Sequence, residues 1–551
     1  MSPSIVSPLR EDLSKASPGG RALPALGAAV RLLTGVVLSV CAVTLTTAMA
    51  AEKTLVVGSS FIIKSVDPGR TVETTSNMIN HSVYDSLVTF EGEDLGTPKP
   101  SLATDWKVSD EGKTYTFRLR RNVRFTSGNP FTSADVKWSF ERVRNLKSNP
   151  AFFLNSVDEI LAPDPYTVVL KLRAPNPALL PILSSSSLAA LDSTLVMQKG
   201  GDASPAAKDR DKAESFLNGQ SAGTGAYILE RYVPEQEVVL VKNPQHWRGA
   251  PKLDRIVIRN ITEPATQKLQ LERGDLDIAT ALDQDQMKAL RSAAGVTTKT
   301  SLAATTFYVL LNNNPQAGGP FSNPKVQQAV RYALDYDGIL AIAGPGAVRL
   351  AGVIPTTFPG SLDPRQAVRT DREKARGLLK EANLGEVKGV ITYSSDSTIW
   401  GVQVSLLAQK VQADLTAVGM SITLNGLPRA TALQLYRDGK NQLGIWSWAA
   451  DYPDGQNFLV YGPGRTVGKR AGWLAEASPE ARELAQLAAD AESDVDPAKS
   501  AALYRKFEER LAQIGPYAPL FQPAVPYAFL SSVQGVTFNS VWGVDFWTVS
   551  K

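Results

Sequence analysis

The sequence has 551 residues but only one cysteine and two histidines. A structural zinc site usually takes about four cysteine or histidine ligands, so sites of that kind are nearly excluded. A disulfide within one chain is excluded outright, because it needs two cysteines. The 58 basic and 54 acidic residues nearly balance, and the net charge of +4 is too small to indicate a nucleic-acid binder. We therefore predict no metal, no cofactor and no nucleic-acid partner.

Long apolar runs are missing after residue 50, where no stretch approaches the ~20 apolar residues of a membrane-spanning helix. Hydrophobic residues nevertheless make up 43% of the chain and charged residues 20%, which is typical of a soluble protein with a well-filled core. This composition excludes collagen-like, coiled-coil and wholly disordered chains.

The first 50 residues have the composition of a secretory signal. Basic residues precede an apolar stretch over residues 32–42, and Ala48 and Ala50 supply the small residues that a signal peptidase reads. We predict a signal peptide over residues 1–50, with cleavage after Ala50 and a soluble periplasmic product. A lipid anchor at Cys41 is the alternative, but Val40 is bulkier than a lipoprotein peptidase usually accepts.

Strand and helix patterns follow each other closely after residue 113. Residues 114–119 alternate between apolar and polar side chains, which predicts a half-buried strand. Beyond a turn, Thr132 can cap a helix while Asp135 reaches back to it, which is the spacing of a capping box. The apolar positions of that helix recur at helical spacing, at Val136, Phe140 and Val143.

Two later helices are marked by proline at their starts. Ser478 precedes Pro479 and Asp496 precedes Pro497, so each pair supplies a capping side chain and a proline at the first helical position. Residues 199–215 are polar and rich in Gly, Asp and Lys, which predicts a mobile surface loop. Strands that alternate with helices along the chain favour an α/β fold.

Signatures of catalysis are missing. The chain contains no H-E-x-x-H helix. Its one G-x-S-x-G spacing, at residues 219–223, follows the polar stretch 199–215 and not the strand pattern that a nucleophile elbow needs. Residues 462–470 look like a phosphate-binding loop, but the glycine spacing is wrong and Arg470 stands where Ser or Thr would hold magnesium. We interpret this stretch as a basic, flexible surface loop. Neither His81 nor His246 has neighbours that would place it in a catalytic triad, so we predict that the protein is not an enzyme.

Several segments are similar to one protein family. They are YDSLV at 84–88, LATDWKVSDEGKTYTFRLR at 102–120, FTSADV at 131–136, GTGAY at 223–227 and WAADYPD at 448–454. Together they resemble the oligopeptide, dipeptide and nickel class of bacterial extracellular solute-binding proteins (family 5), the binding components of ABC importers. The resemblance covers nearly the whole chain after residue 50.

The resemblance implies a two-lobed α/β periplasmic binding protein of type II, from the large peptide-binding cluster. The first lobe would comprise residues 51–303, with an extra subdomain at about 90–220. The second lobe would comprise residues 304–525, and residues 526–551 would return to the first lobe.

The resemblance also implies a hinge of two chain segments. These crossings, near residues 310–312 and 522–526, would let the lobes close around a ligand. The loaded protein would deliver its ligand to the membrane permease of the importer, and we expect it to act as a monomer.

Two site residues come from the W-x-x-D segment. In peptide-binding members of the family, an aspartate there receives the ligand's α-ammonium, and Asp451 occupies the matching position. A carboxylate buried by lobe closure can form a charge-assisted hydrogen bond to an ammonium group. Trp448 matches an aromatic wall that packs varied side chains without specific hydrogen bonds. The alternatives are a turn residue for Asp451 and a core residue for Trp448.

Further candidates are less specific. Ser59, Ser60 and Phe61 follow the first predicted strand, where the resemblance implies backbone groups that contact the ligand. A partner for the ligand's carboxylate should be cationic, and the sequence does not choose among several arginines. The candidates are Arg349, Arg365, Arg429 and Arg465.

The leading hypothesis is a periplasmic component of an ABC importer that captures di- or oligopeptides. The alternative is the same fold with a non-peptide ligand, namely a nickel chelate, haem, an opine or an oligosaccharide. Two histidines disfavour direct nickel ligation by a histidine cluster, whereas a chelate held by arginine and tryptophan stays open. A role in chemotaxis or in recycling cell-wall peptides would use the same fold and stays open too.

Overall fold

The computed structural model describes residues 52–61 and 63–551. The predicted signal peptide at 1–50, its cleavage site and Cys41 lie outside these residues. In the part described, no helix is long and apolar enough to cross a membrane. Strands and helices alternate along the chain, and the predicted α/β class is confirmed.

A seven-stranded sheet, the first sheet, takes strands from both ends of the described chain. Its strand Thr54–Ser59 runs parallel to both neighbours, and the other pairings are antiparallel. Leu55 and Val57 of that strand are fully buried, as expected for a strand flanked by parallel partners. In spatial order the strands are Val296–Leu302, Ala524–Leu530, Ile278–Ala279, Thr54–Ser59, Arg255–Asn260, Glu237–Lys242 and Tyr227–Val233.

A six-stranded second sheet is built only from residues between 305 and 522. Its strand Thr305–Leu311 is buried along its whole length, because successive side chains point into cores on opposite faces. Phe307 and Val309 enter one core, and Tyr308 and Leu310 enter the other. In spatial order the strands are Val348–Arg349, Tyr517–Gln522, Thr305–Leu311, Leu443–Ala449, Lys388–Ser394 and Ser421–Leu427.

A third sheet is antiparallel and lies between residues 103 and 172. The alternation predicted for residues 114–119 is confirmed, because Tyr115, Phe117 and Leu119 are buried in its core. In spatial order the strands are Ala103–Ser109, Thr114–Leu119, Thr167–Leu172 and Val157–Asp164. Three short ladders pair Val88–Glu91 with Asp94–Pro100, Thr398–Ile399 with Val402–Gln403, and Phe538–Asn539 with Gly543–Val544.

Helices cover the sheets. The α-helices of the described residues are Thr74–Val83, Ser133–Leu146, Leu179–Leu183, Ser193–Gln198, Ala207–Arg210, Glu214–Gly219, Pro264–Arg273, Gln284–Leu290, Pro315–Gly318, Pro324–Ala333, Tyr336–Ala343, Arg372–Ala382, Val404–Thr416, Arg429–Arg437, Thr466–Arg470, Pro479–Ser493 and Pro497–Ile514. Short 3₁₀ turns span Asp110–Gly112, Asn149–Leu154, Ser186–Leu188, Gly319–Ser322, Pro364–Gln366, Gly455–Tyr461 and Ala475–Ala477.

The chain passes from the first sheet to the second at residues 303–304 and returns at Pro523. These two segments are bonded to each other. The Ala303 N–H donates to the Pro523 carbonyl at 3.0 Å, and Nε2 of the buried Gln522 donates to the Ala303 carbonyl at 2.8 Å. The first crossing therefore lies earlier than the predicted hinge residues 310–312, of which the first two are paired within the second sheet.

The predicted helix starts are confirmed. Thr132 and Asp135 form a capping box, in which Asp135 Oδ2 accepts the Thr132 N–H at 2.9 Å. Ser478 and Asp496 also accept backbone N–H groups of the helices that follow them. The buried face of the helix after Thr132 carries the predicted side chains Val136, Phe140 and Val143.

The same helix buries a charged side chain. Arg142 is fully buried and donates to Asp67 at 2.6 and 2.8 Å and to Asp211 at 2.8 and 3.0 Å. Both carboxylates are also fully buried, and two short helices lie beside Asp211 in the chain. The prediction of a mobile surface loop at 199–215 is therefore wrong for the residues around Asp211. Arg142, which is distant in sequence, holds Asp211 in place.

Replacing Arg142 with methionine should lower the free energy of unfolding by about 3–5 kcal/mol, because two buried carboxylates lose the buried one of their two cationic partners and keep only the partly exposed Arg70. Chemical denaturation followed by circular dichroism measures this. Arg118→Met is the matched control, since Arg118 and Asp105 are exposed and 3.8 Å apart. That pair should contribute less than about 1 kcal/mol. Equal losses in the two variants would contradict the role given to Arg142.

Candidate functional site

A cavity of about 410 Å³ lies at one edge of the second sheet, and we call it the Trp448 cavity. Lys388–Ser394 runs parallel to Ser421–Leu427 and to Leu443–Ala449, so the carboxyl ends of all three strands reach the same edge. In α/β sheets, ligands bind outside the carboxyl ends of the strands. The lining at or just beyond these ends is Ser394, Arg429, Trp448 and Asp451.

Residues from before the first crossing complete the cavity. Val72, Asn149 and Phe152 line it, although they precede the second sheet in the chain by more than a hundred residues. The Phe152 side chain is 40% exposed and belongs to a short turn beside the third sheet. The Trp448 cavity is therefore shared between the second sheet and chain segments near the third sheet.

Asp451 lines the cavity with a carboxylate that lacks a cationic partner among residues 52–61 and 63–551. Desolvation by the surrounding protein raises the pKa of Asp451 to about 6, against which one hydrogen bond from Asn457 acts. That bond is long, at 3.4 Å from Asn457 Nδ2 to Asp451 Oδ2. A carboxylate held in this way favours either a proton or a cationic ligand.

One residue, Asn457, forms hydrogen bonds with both Trp448 and Asp451. Trp448 Nε1 donates to Asn457 Oδ1 at 2.9 Å, and Asn457 is itself buried. The half-buried Trp448 ring lines the cavity, with Arg470 Cζ 5.7 Å from the ring centroid. One amide side chain thus orients both predicted site residues.

A second aromatic pair extends the wall. Trp446 stacks on Tyr436 with ring centroids 4.3 Å apart, and both residues line the cavity. Tyr436 Oη lies 2.7 Å from Tyr308 Oη, which holds the ring against the core of the second sheet. Arg470 Cζ lies 4.8 Å from the centroid of Tyr436, in a cation–π contact. The wall is flat, apolar and positively charged at one side.

The four arginines predicted as candidates separate clearly by their surroundings. Arg429 lines the Trp448 cavity. Arg465 is held by Glu492 through two hydrogen bonds of 2.8 Å, and Arg365 pairs with Asp363 on the surface. Arg349 lies over the Tyr336 ring, outside the cavity lining. Only Arg429 of the four is placed to meet a ligand there.

Two further arginines line the cavity and have no signal in the sequence. Arg437 ends the helix Arg429–Arg437, and Arg470 ends the helix Thr466–Arg470. The stretch 462–470 that we interpret from sequence as a flexible basic surface loop therefore delivers Arg470 to the cavity. The position of Arg470 at the cavity is visible only in the folded structure, because no local sequence pattern separates Arg470 from other surface arginines.

Ser59, Ser60 and Phe61 do not line the Trp448 cavity. The Ser59 carbonyl accepts the Ile261 N–H at 2.8 Å, and the Phe61 N–H donates to Asn260 Oδ1 at 3.0 Å. Phe61 is part of the core of the first sheet, and Ser60 is exposed. Contact of these three residues with a ligand stays a prediction.

The segment after Asp451 reaches into a different core. Tyr452 is 8% exposed and packs with the hydrophobic cluster of the third sheet, with its ring 6.3 Å from that of Phe153. Asp454 caps the turn that follows, accepting the Gln456 N–H at 2.7 Å. Asp454 therefore fills the capping role in this turn, and Asp451 lines the cavity.

Comparison with known proteins gives a consistent result. Residues 97–467 match the model of bacterial extracellular solute-binding proteins, family 5 (middle region). The probable D,D-dipeptide-binding periplasmic protein DdpA of Escherichia coli K12 is 27% identical over 88% of this chain and 91% of its own. The di/tripeptide-binding protein 2 of Pseudomonas aeruginosa UCBPP-PA14 is 26% identical over 90% and 94%.

Solved structures share the fold. The dipeptide-binding protein of Pseudoalteromonas sp. SM9913, in complex with Met-Leu, has a TM-score of 0.76 at 21% identity, covering 91% of this chain and all of its own. NikA of Brucella suis, in complex with Fe(III)-EDTA, has a TM-score of 0.76 at 22% identity, covering 91% and 100%. The fold is thus that of a two-lobed periplasmic binding protein.

Replacing Asp451 with asparagine should stabilise the ligand-free protein at pH 7.5. Burial raises the pKa of Asp451 from 3.8 to about 6, so the folded state binds more protons than the unfolded state between these values. Stability contributed by this group therefore falls as the pH rises through that window. Above it, removing the charge should add about 3 kcal/mol to the free energy of unfolding, at ~1.4 kcal/mol for each pKa unit.

Chemical denaturation of both proteins at pH 7.5 and pH 4 measures this difference. Asp454, whose pKa burial also raises to about 6, contributes equally to both proteins and cancels. The difference should shrink to roughly 0.5 kcal/mol at pH 4, because Asp451 is then protonated in the folded state and only partly ionised in the unfolded state. An asparagine variant that is less stable at pH 7.5 would show that the carboxylate is a structural group.

Proposed function

The chain belongs to family 5 of the bacterial extracellular solute-binding proteins, and we propose that it captures di- or oligopeptides for an ABC importer. It acts in the periplasm as a monomer, performs no chemical step and delivers its peptide to the membrane permease. We place the first lobe at residues 51–303 and 526–551, with its subdomain at about 90–220, and the second lobe at 304–525. The separate strand sets of the first and second sheets support this division, except that residues 524 and 525 already belong to a strand of the first sheet.

The observation that carries the proposal is the Asp451 carboxylate. It faces the cavity, it is desolvated, and no cation of the described chain pairs with it. A peptide with a free N-terminus supplies an ammonium group, which forms a strong charge-assisted hydrogen bond with a carboxylate. Binding therefore removes a cost that the ligand-free protein carries, and it discriminates against ligands without a cation.

The rest of the cavity supports a peptide as well. Arg429 lies at the same cavity and offers a planar donor fork that suits a carboxylate. Trp446 and Trp448 give flat surfaces against which varied side chains can pack. Relatives named for D,D-dipeptides and for di- and tripeptides make short peptides the first class to test.

A polycarboxylate chelate is the second candidate. Arginine side chains at the cavity favour it, and the NikA structure of similar fold holds Fe(III)-EDTA. Such a ligand offers no ammonium group to Asp451, which is why we place it second. Native mass spectrometry of freshly purified protein separates the candidates, because a metal chelate and a peptide differ in mass.

Asp451→Asn should weaken peptide binding by roughly 150- to 4,000-fold, since losing one partner of a buried charge pair costs about 3–5 kcal/mol. Isothermal titration with short peptides measures the affinity. N-acetylated peptides should bind the native protein poorly for the same reason, and the variant should discriminate less between free and acetylated forms.

Asp454→Asn is the matched control, because Asp454 is a half-buried carboxylate of the same segment whose pKa is also raised and which does not line the cavity. The peptide affinity of this variant should stay within about threefold of that of the native protein, since the asparagine side chain can still accept the backbone N–H of the turn. Unchanged peptide affinity in Asp451→Asn would retire Asp451 as the ammonium partner. Failure of native protein to bind any di- to pentapeptide would overturn the proposed function.

A further inference from the structure

The charges around the Trp448 cavity are unequal. Arg429, Arg437 and Arg470 line it, and Asp451 is the one acidic residue of that lining among the described residues. All three arginines keep their charge at neutral pH. The lining therefore carries an excess of positive charge at pH values where Asp451 is ionised, and a larger excess at pH values where Asp451 is protonated.

None of these three guanidinium groups forms an ion pair with another residue of the described chain. Salt bridges elsewhere hold arginines such as Arg465, which Glu492 binds at 2.8 Å. The Asp396 carboxylate accepts the backbone N–H of Arg429 at 3.0 Å and the Ser394 hydroxyl at 3.0 Å, and it forms no ion pair with the Arg429 guanidinium. The positive charge at the cavity is thus not balanced by the protein itself.

The three groups also differ in how they are held. Arg470 is half-buried and its guanidinium lies 4.8 Å from the Tyr436 ring and 5.7 Å from the Trp448 ring. Arg429 and Arg437 are exposed at the two ends of one helix, which places their backbones about 12 Å apart along its axis. Two separate anionic groups on one ligand can therefore be met at once.

A zwitterionic peptide with uncharged side chains has one ammonium and one carboxylate. Paired with Asp451 and one arginine, it leaves the other arginines facing a cavity with low-dielectric walls, where like charge is concentrated. A second carboxylate on the ligand offsets that charge through strong hydrogen bonds. We propose that the preferred ligand carries a net negative charge, as in a short peptide with at least one acidic side chain, and this inference rests on the proposed function.

A charge series of peptides tests the proposal. Ala-Glu-Ala, Ala-Gln-Ala and Ala-Lys-Ala have the same backbone and similar side-chain lengths, and isothermal titration gives their affinities. Ala-Glu-Ala should bind about 10- to 100-fold more tightly than Ala-Gln-Ala, as hydrogen bonds to charged groups contribute. Ala-Lys-Ala should bind least well. The preference should shrink between 50 mM and 500 mM salt, because mobile ions screen the exposed arginines.

Variants assign the preference to the cavity. Arg437→Gln and Arg470→Gln should each reduce the ratio of Ala-Glu-Ala to Ala-Gln-Ala affinity, while peptide binding itself persists. Arg376→Gln is the control, because Arg376 pairs with Glu373 on a helix that does not line the cavity. In this variant the ratio of the two peptide affinities should match that of the native protein.

Two failures are distinguishable. If the three peptides bind with equal affinity, or Ala-Gln-Ala binds most tightly, the charge preference is overturned and peptide capture stands. If none of these three tripeptides binds, the inference is overturned, and the proposed function falls with it only when no di- to pentapeptide binds either. A preference that survives unchanged in both arginine variants would also overturn the inference, since Arg437 and Arg470 supply the positive charge that remains once Arg429 meets the terminal carboxylate of the peptide.

Discussion

The proposed ligand site depends on one constraint: the desolvated Asp451 carboxylate has no cationic partner within the described residues. Asp451 is charged at a cost, which is visible in its pKa of about 6. The protein supplies one long hydrogen bond from Asn457 and no counter-ion within the described residues. The cost is offset only by a proton or by a cation from outside, so the ligand-free site is prepared for an ammonium group.

Asp451 is next in the chain to a residue that connects the second sheet with the core of the third sheet. Tyr452, next to Asp451, packs into the core of the third sheet beside Phe153, and Phe152 of the same turn lines the Trp448 cavity. One short segment thus joins the second sheet to the region around the third sheet at the place where the ligand is proposed to bind. The hinge movement that we expect about the crossings at Ala303 and Pro523 would therefore change the site directly.

Local patterns predict the elements well, because they depend on neighbouring residues. The capping box at Thr132 and the alternation over 114–119 need only a few consecutive positions, and both are confirmed. Contacts between distant residues escape this reasoning. The Arg142–Asp211 pair that orders residues predicted as a loop is one case. Another is Arg470, which a sequence pattern assigns to the surface and the fold brings to the cavity.

Direct titration of Asp451 tests the central claim. Carboxyl-labelled aspartate, assigned by comparison with Asp451→Asn, gives its pKa by nuclear magnetic resonance in the free protein and with bound peptide. We expect a pKa near 6 for Asp451 without ligand, and we expect it to fall well below that value when a peptide with a free ammonium group binds. A pKa that is ordinary in the free protein, or that does not move on binding, would contradict the account.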